Sequence, residues 1–168
     1  MLQQMWRAVR LDRKLYTELI FDSYATGNAV LIVTGVYAAV YVALVLGNPV
    51  LGFGLLGLLE VGLGGIVRWI VTAGALWLAG TKLFSGDARF PTVLRLSGFA
   101  HVALLLLVVE PLVPTAYRQI VFGLALLWFG VSLVVVAEVS LGLERRGSLP
   151  TALIAIAVWF VFSQLGGL

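Results

Sequence analysis

The amino-acid sequence predicts an all-α membrane protein, a single domain over residues 1–168 built on a bundle of five transmembrane helices. The chain is 61% hydrophobic and only 11% charged, whereas soluble domains are about half apolar and about a quarter charged. Its apolar residues also lie in long runs, and crossing a bilayer takes about 20 such residues. Short polar or proline-containing turns separate these runs, so we expect the chain to cross the membrane repeatedly.

The N-terminal segment, residues 2–22, is too charged to span a membrane. On a helix with about 100° between successive residues, its apolar side chains share one face. Arg7, Arg10 and Lys14 lie beside that face. Basic groups flanking an apolar face are typical of a helix that lies in the membrane interface. We therefore predict an N-terminal interfacial amphipathic helix whose Arg7, Arg10 and Lys14 contact lipid head groups.

Five apolar runs follow this segment. Residues 49–60 are apolar but too short to cross, and each of their glycines weakens a helix by about 1 kcal/mol relative to alanine. We predict a Gly-rich re-entrant or interfacial segment here, before the second span. Pro111 and Pro114 are expected to end the third span. The predicted spans are residues 27–46, 61–81, 92–113, 119–141 and 150–166.

The distribution of basic residues predicts the orientation of the chain. With five spans, nine of the eleven Lys and Arg residues fall on the side of the N-terminus, and only Arg68 and Arg118 do not. Cytoplasmic loops carry such an excess. We therefore expect the N-terminus in the cytoplasm and the C-terminus outside. An additional crossing by residues 49–60 would move the later loops to the other side and remove the asymmetry.

Small residues recur at every fourth position along the first span, at Gly35, Ala39, Ala43 and Gly47. This spacing gives a flat face on which another helix can pack closely through van der Waals contact, since lipid supplies no hydrophobic force between helices. Two interpretations are open. The face makes an internal contact with another span, or it is a surface for self-association or for a partner subunit.

Two ionisable residues lie inside the predicted spans at similar depth in the cytoplasmic half, His101 in the third and Glu138 in the fourth. Such groups are costly in a membrane, and they tend to face the bundle interior and pair. We predict that they form an intramembrane polar pair. The pair is either a structural hydrogen bond between helices or a proton-sensitive or head-group-binding site.

A second polar group is expected toward the outer side of the membrane. It comprises Glu60, Arg68, Glu110 and Arg118. Ion pairs between Glu60 and Arg68 or between Glu110 and Arg118 would make packing and anchoring contacts. The alternative is a site for a solute.

Several classes of function are not expected. The chain has no cysteine and one histidine, which leaves too few nitrogen and sulfur ligands for a metal site and no cysteine nucleophile. The glycines near residue 54 do not follow a predicted strand, so a nucleotide loop is not indicated. We expect no cofactor and no enzymatic activity. The net charge of +3 reflects cytoplasmic loops, and we expect no binding to nucleic acid.

Three stretches of the sequence show a familiar pattern: WRAVRLDRKLYTELIFDSYATGNAVLIV, FPTVLRLSGFAHVALLLL and VVVAEVSLGLERRGSLPTALIAIAVWF. They resemble prokaryotic members of the Yip-one domain family, the Ypt-interacting proteins. The resemblance covers about residues 6–165 and implies five spans with a cytoplasmic N-terminus, in a prokaryotic plasma membrane. Eukaryotic relatives bind lipidated Rab-type GTPases. This chain lacks their long soluble N-terminal region and has His101 and Val102 where many relatives have a proline, so Rab binding is not carried over.

The sequence thus favours a non-enzymatic scaffold or accessory subunit of a larger membrane assembly. Its expected partners are membrane lipids and either other membrane subunits or further copies of the chain. The small-residue face on the first span is the main observation behind this hypothesis. The alternative is a transporter or channel for a small solute, proton or lipid that uses His101 and Glu138.

Overall fold

The computed structural model describes residues 1–48, 50 and 52–165, and this part of the chain contains seven α-helices. The two short N-terminal helices are followed by long ones. Their bounds are α1 Leu2–Val9, α2 Arg13–Phe21, α3 Ala25–Gly47, α4 Leu55–Leu83, α5 Phe90–Ala100, α6 Thr115–Leu141 and α7 Arg145–Leu165. Beyond α5 the chain tightens into 3-10 helix over His101–Val108 and Glu110–Leu112.

Five of these helical segments are long and apolar enough to cross a membrane. They are α3, α4, the continuous segment Phe90–Leu112, α6 and α7. The predicted all-helical class is therefore confirmed, and five apolar helical segments have the length that the predicted spans require. The segments pack as a bundle in which α4 contacts α3 and α7, and α6 contacts α7 and residues 101–108. Gly98 allows close packing of α5 on α3, since a Cβ there would lie 2.5 Å from the Cβ of Ala29.

The Gly-rich stretch differs from its prediction. α4 begins at Leu55, so residues 55–60 are the first part of the second span and not a separate segment. Tyr41 accounts for the difference, because its hydroxyl group accepts a hydrogen bond from the backbone nitrogen of Gly54 (3.2 Å) and donates one to the Gly54 carbonyl (3.3 Å). This contact fixes the start of α4 despite the low helix propensity of glycine. Residues 49 and 51 lie outside the described part.

The last predicted span also begins earlier than expected. α7 starts at Arg145, and Pro150 is its sixth residue. Residue 166 lies outside the described part. At the other boundaries the observed helices are similar to the predicted spans.

Residues 2–22 form a helical hairpin instead of one interfacial helix. The chain turns between α1 and α2, where Leu11 has a left-handed φ of 58° and the Asp12 carboxylate caps α2 by accepting a hydrogen bond from the Lys14 backbone nitrogen (2.9 Å). The Trp128 indole, at the centre of α6, donates to the carbonyl of Val9 (3.0 Å). The hairpin therefore lies against the side of the bundle.

Apolar packing explains why the hairpin docks there. Leu15, Tyr16 and Leu19 are almost completely buried and belong to the same core as the spans. In a helix lying flat in the membrane interface, these side chains would contact lipid on one side and no other part of the protein. Docking between α5 and α6 gives them protein contacts on several sides, and each such contact adds dispersion energy.

Candidate functional site

The predicted pair of His101 and Glu138 is not formed. The Glu138 carboxylate accepts hydrogen bonds from the Arg13 guanidinium and, at 3.5 Å, from the Ser148 hydroxyl group, and its Oε1 lies 3.9 Å from Nε of Arg145. Its side chain is 9% exposed. Glu138 therefore connects the N-terminal hairpin to α6 and α7.

His101 is completely buried, and its contacts are aromatic. Its ring lies 4.9 Å from the ring of Phe129 and 6.3 Å from that of Tyr37, measured between centroids. Nδ1 lies 2.9 Å from the Ser97 carbonyl oxygen one turn earlier in the chain. The predicted hydrogen bond between helices is therefore replaced by one within the same helical segment. The hypothesis of transport through a His101–Glu138 pair loses the geometry on which it depended.

The outer polar group is only partly brought together. Glu60 is exposed, and Arg118 donates to the carbonyl oxygens of Val113 and Pro111, at 3.4 Å each, at the end of the third span. Neither predicted ion pair forms among the described residues. Arg68 and Glu110 instead line the same cavity.

This cavity, the Arg68 cavity, lies inside the bundle in the half that contains the start of α4. Its volume is about 170 Å³, and all five spans contribute to its walls. The lining side chains that bear polar or aromatic groups are Tyr37, Tyr41, Arg68, Glu110, Phe122, Trp159, Ser163 and Gln164. Tyr37 accepts a hydrogen bond from the Trp159 indole at 3.0 Å, which fixes the two rings relative to each other.

Arg68 is the principal group of the cavity. The residue is only 4% exposed, yet no carboxylate of the described residues forms an ion pair with its guanidinium. Its Cζ lies 5.7 Å from the centroid of the Tyr37 ring. Close contact of that ring with α4 depends on Gly65, because a Cβ at this position would overlap the ring. An aromatic face attracts a cation but does not satisfy its N–H donors.

The three cations predicted to contact head groups differ in their surroundings. Arg7 donates hydrogen bonds to Asp12 at 2.7 Å and to both carboxylate oxygens of Glu18 at 2.7 and 3.1 Å. These bonds lower the pKa of both carboxyl groups and raise that of Arg7. Arg7 therefore pairs with carboxylates of the hairpin itself. Arg10 and Lys14 are exposed, and head-group contact stays a prediction for them.

The small-residue face of α3 divides into two parts. Gly47 packs against Pro111, whose Cβ would lie 2.6 Å from a Cβ at position 47, so this end makes an internal contact. Ala39 and Ala43 line an apolar furrow, the α3 furrow, of about 460 Å³. Gly35 is exposed, and a Cβ at this position would meet no atom of the described residues within 4 Å. The remaining furrow residues are Ala38, Val42, Leu46, Leu58, Val108 and Leu112.

Sequence reasoning missed two arrangements. The sequence pattern did not single out Tyr37 and Trp159, although both are buried and form a wall of the Arg68 cavity. Arg95 entered only the count of basic residues for orientation, yet its Nη1 donates to the carbonyl oxygens of Leu19 (3.1 Å) and Ile20 (2.9 Å). Its position several residues inside the third span was the available signal.

Together, the five apolar segments and the buried polar groups between them define the class of this protein as a helical membrane bundle. Comparison of the chain with models of protein families, with curated proteins and with solved structures finds no match.

Proposed function

We propose that this chain is a non-enzymatic integral membrane protein, a scaffold or accessory subunit that contacts a transmembrane helix of another subunit and the surrounding lipid. The α3 furrow is the observation that carries the proposal. Ala39 and Ala43 form its floor, and Gly35 is exposed beside them. Because these side chains are small, the backbone of a partner helix can approach α3 closely, which is how helices associate in lipid.

The layout of the chain supports the same proposal. The connections at residues 84–89 and 142–144 are short, and the charged N-terminal hairpin packs on the bundle. Most of the surface is therefore formed by the apolar sides of helices. The resemblance to prokaryotic Yip-one proteins agrees with this class and with a plasma-membrane location.

Filling the furrow tests the proposal. Ala39→Leu adds three carbons to the furrow, and Ala157→Leu makes the same change on an exposed face of α7. Overpacking costs about 1–3 kcal/mol, and every 1.4 kcal/mol is about a tenfold change in affinity. After mild extraction and native mass measurement, we expect the wild type and Ala157→Leu to retain a second subunit. Ala39→Leu should bind this subunit with about tenfold lower affinity.

Two results would count against this function. One is a strictly monomeric wild-type species with no second subunit. The other is association that Ala39→Leu leaves unchanged. If the subunit lost by Ala39→Leu is a second copy of this chain, the furrow remains the interface and the assembly is a homo-oligomer.

A further inference from the structure

We infer that the Arg68 cavity binds a small zwitterion, whose carboxylate or phosphate group pairs with Arg68 and whose ammonium group lies toward Glu110 and the aromatic rings. The inference does not depend on the proposed subunit function. The cavity is lined by all five spans, whereas the α3 furrow is on the outside of the bundle.

Arg68 provides the anion-binding group. A guanidinium has five N–H donors in a planar fork that matches a carboxylate or a phosphate. Burying such a cation without an anionic partner is strongly unfavourable, and Arg68 is 4% exposed with no carboxylate of the described residues paired to it. Its Nη1 lies 3.8 Å from the position that a Cβ on Gly64 would occupy, so the side chain points back along α4 toward the start of that helix. An anion in the cavity would supply the missing partner.

Glu110 determines that the ligand is a zwitterion and not a bare anion. It is the second charged residue of the described lining, and it does not form an ion pair with Arg68. Arg68 and Glu110 together leave the cavity without net charge. A bare anion would give the cavity a net negative charge in surroundings of low dielectric constant, where charge is costly. A zwitterion pairs with both residues and keeps the cavity neutral.

The aromatic lining favours an ammonium group near Glu110. Tyr41, Phe122 and Trp159 present ring surfaces to the cavity, and the faces of such rings attract ammonium ions. The Tyr37 hydroxyl oxygen accepts from Trp159, so its own proton remains available to donate to the anionic group. A volume of about 170 Å³ is sufficient for a small head group, since one water molecule occupies roughly 30 Å³.

Two kinds of ligand carry this pair of charged groups, a free solute such as an amino acid and the head group of a lipid. Thermal unfolding of the full chain in detergent, with added glycine or glycerophosphoethanolamine, tests the first source. Unfolding in nanodiscs of phosphatidylglycerol, with and without phosphatidylethanolamine, tests the second. A ligand that binds only the folded state raises the unfolding midpoint in a saturable way. We expect such a rise from at least one of these zwitterions.

Arg68→Met should weaken the binding at least about tenfold, because it removes the charge-assisted hydrogen bonds. The same change should raise the midpoint of the ligand-free protein, since it removes a buried cation with which no described carboxylate forms an ion pair. A purely structural role of Arg68 predicts the opposite sign. Arg118→Met, at the same end of the bundle but bonded to backbone carbonyls, is the matched control and should leave binding unchanged.

Glu110→Gln separates a zwitterion from a bare anion. It should weaken binding of the zwitterions and strengthen binding of inorganic phosphate, and these opposite effects keep the test decisive if Arg68→Met fails to fold. The inference is overturned if neither soluble zwitterions nor phosphatidylethanolamine stabilise the wild type. It is also overturned if Arg68→Met binds equally well, or if phosphate binds as tightly as the zwitterions.

Discussion

At the scale of single residues, His101 shows how a polar ring is held in an apolar core. Nε2 has no hydrogen-bond partner in the described protein, while Nδ1 donates to the carbonyl oxygen of Ser97. The aromatic contacts with Phe129 and Tyr37 surround the ring. The side chain therefore contributes mainly as a ring that fills space.

This assignment gives a prediction about volume and polarity. His101→Phe keeps the ring and removes the unpartnered nitrogen, so we expect it to change the free energy of unfolding by less than about 1 kcal/mol. His101→Ala leaves a hole beside Phe129 and should cost about 2–4 kcal/mol. Thermal unfolding in detergent measures both. Equal losses in the two variants would show that the ring nitrogens, and not the ring volume, hold this part of the bundle.

Sequence reasoning located polar residues along the membrane normal but not around the bundle. His101 and Glu138 were placed at similar depth from their positions in the spans, yet they face different neighbours. Arg13 is the decisive partner of Glu138, and it comes from a segment far away in the chain. Hydrophobic periodicity contains no information about which helix lies beside which, so Arg68 was assigned to Glu60 although it faces Tyr37 and the cavity.

At the scale of elements, the N-terminal hairpin depends on ion pairs that respond to pH. Arg7 holds the pKa values of Asp12 and Glu18 below their ordinary values of 3.8 and 4.5. A carboxyl group with a lowered pKa in the folded state stabilises that state above its unfolded pKa, and the contribution is lost as pH falls through the folded pKa. We expect the hairpin to be fully docked near neutral pH and to loosen below about pH 4.

Amide hydrogen exchange in α1 and α2, compared with α6 between about pH 6 and pH 3, measures this loosening. Arg7→Met should expose the hairpin amides already near neutral pH and remove most of the pH dependence. Arg10→Met is a suitable control, because Arg10 lies over the Trp6 ring, with Cζ 4.7 Å from its centroid, and forms no ion pair in the described structure. A pH profile that is the same in Arg7→Met and the wild type would exclude this mechanism.

The hairpin and the start of α4 also show where local sequence patterns were insufficient. Residues 2–22 have an amphipathic pattern, but the left-handed turn at Leu11 and the Asp12 cap divide the segment into two helices. The glycines of residues 52–57 have low helix propensity, but the Tyr41 hydroxyl group fixes Gly54. In both cases a tertiary contact determined the outcome.

At the scale of the whole molecule, the five helices long enough to cross a membrane could be predicted from the lengths of the apolar runs, because an apolar run of sufficient length has few alternatives to crossing. The five apolar segments alternate in direction, so α3 begins at the same end of the bundle at which α4 ends and α5 begins. That end also contains Arg95 and the Glu138 ion pairs with Arg13 and Arg145, whereas the Val9 end of α1 packs against Trp128 at the centre of α6. Most of the basic residues counted for orientation therefore lie at one end of the bundle, for which the positive-inside tendency predicts a cytoplasmic location.

Single cysteines test this orientation directly, because the chain has none of its own. Ser85→Cys lies in the connection between α4 and α5, and Thr115→Cys lies at the start of α6, at the opposite end. Both positions are exposed. With a membrane-impermeant maleimide, Thr115→Cys should be labelled in intact cells, and Ser85→Cys only after the membrane is opened. Labelling of both in intact cells would contradict five crossings, since residues 90–112 would then not separate the two positions. Labelling of Ser85→Cys in intact cells, and of Thr115→Cys only after the membrane is opened, would keep five crossings and place the N-terminus outside. The basic residues near the hairpin would then make protein contacts and would not determine the orientation.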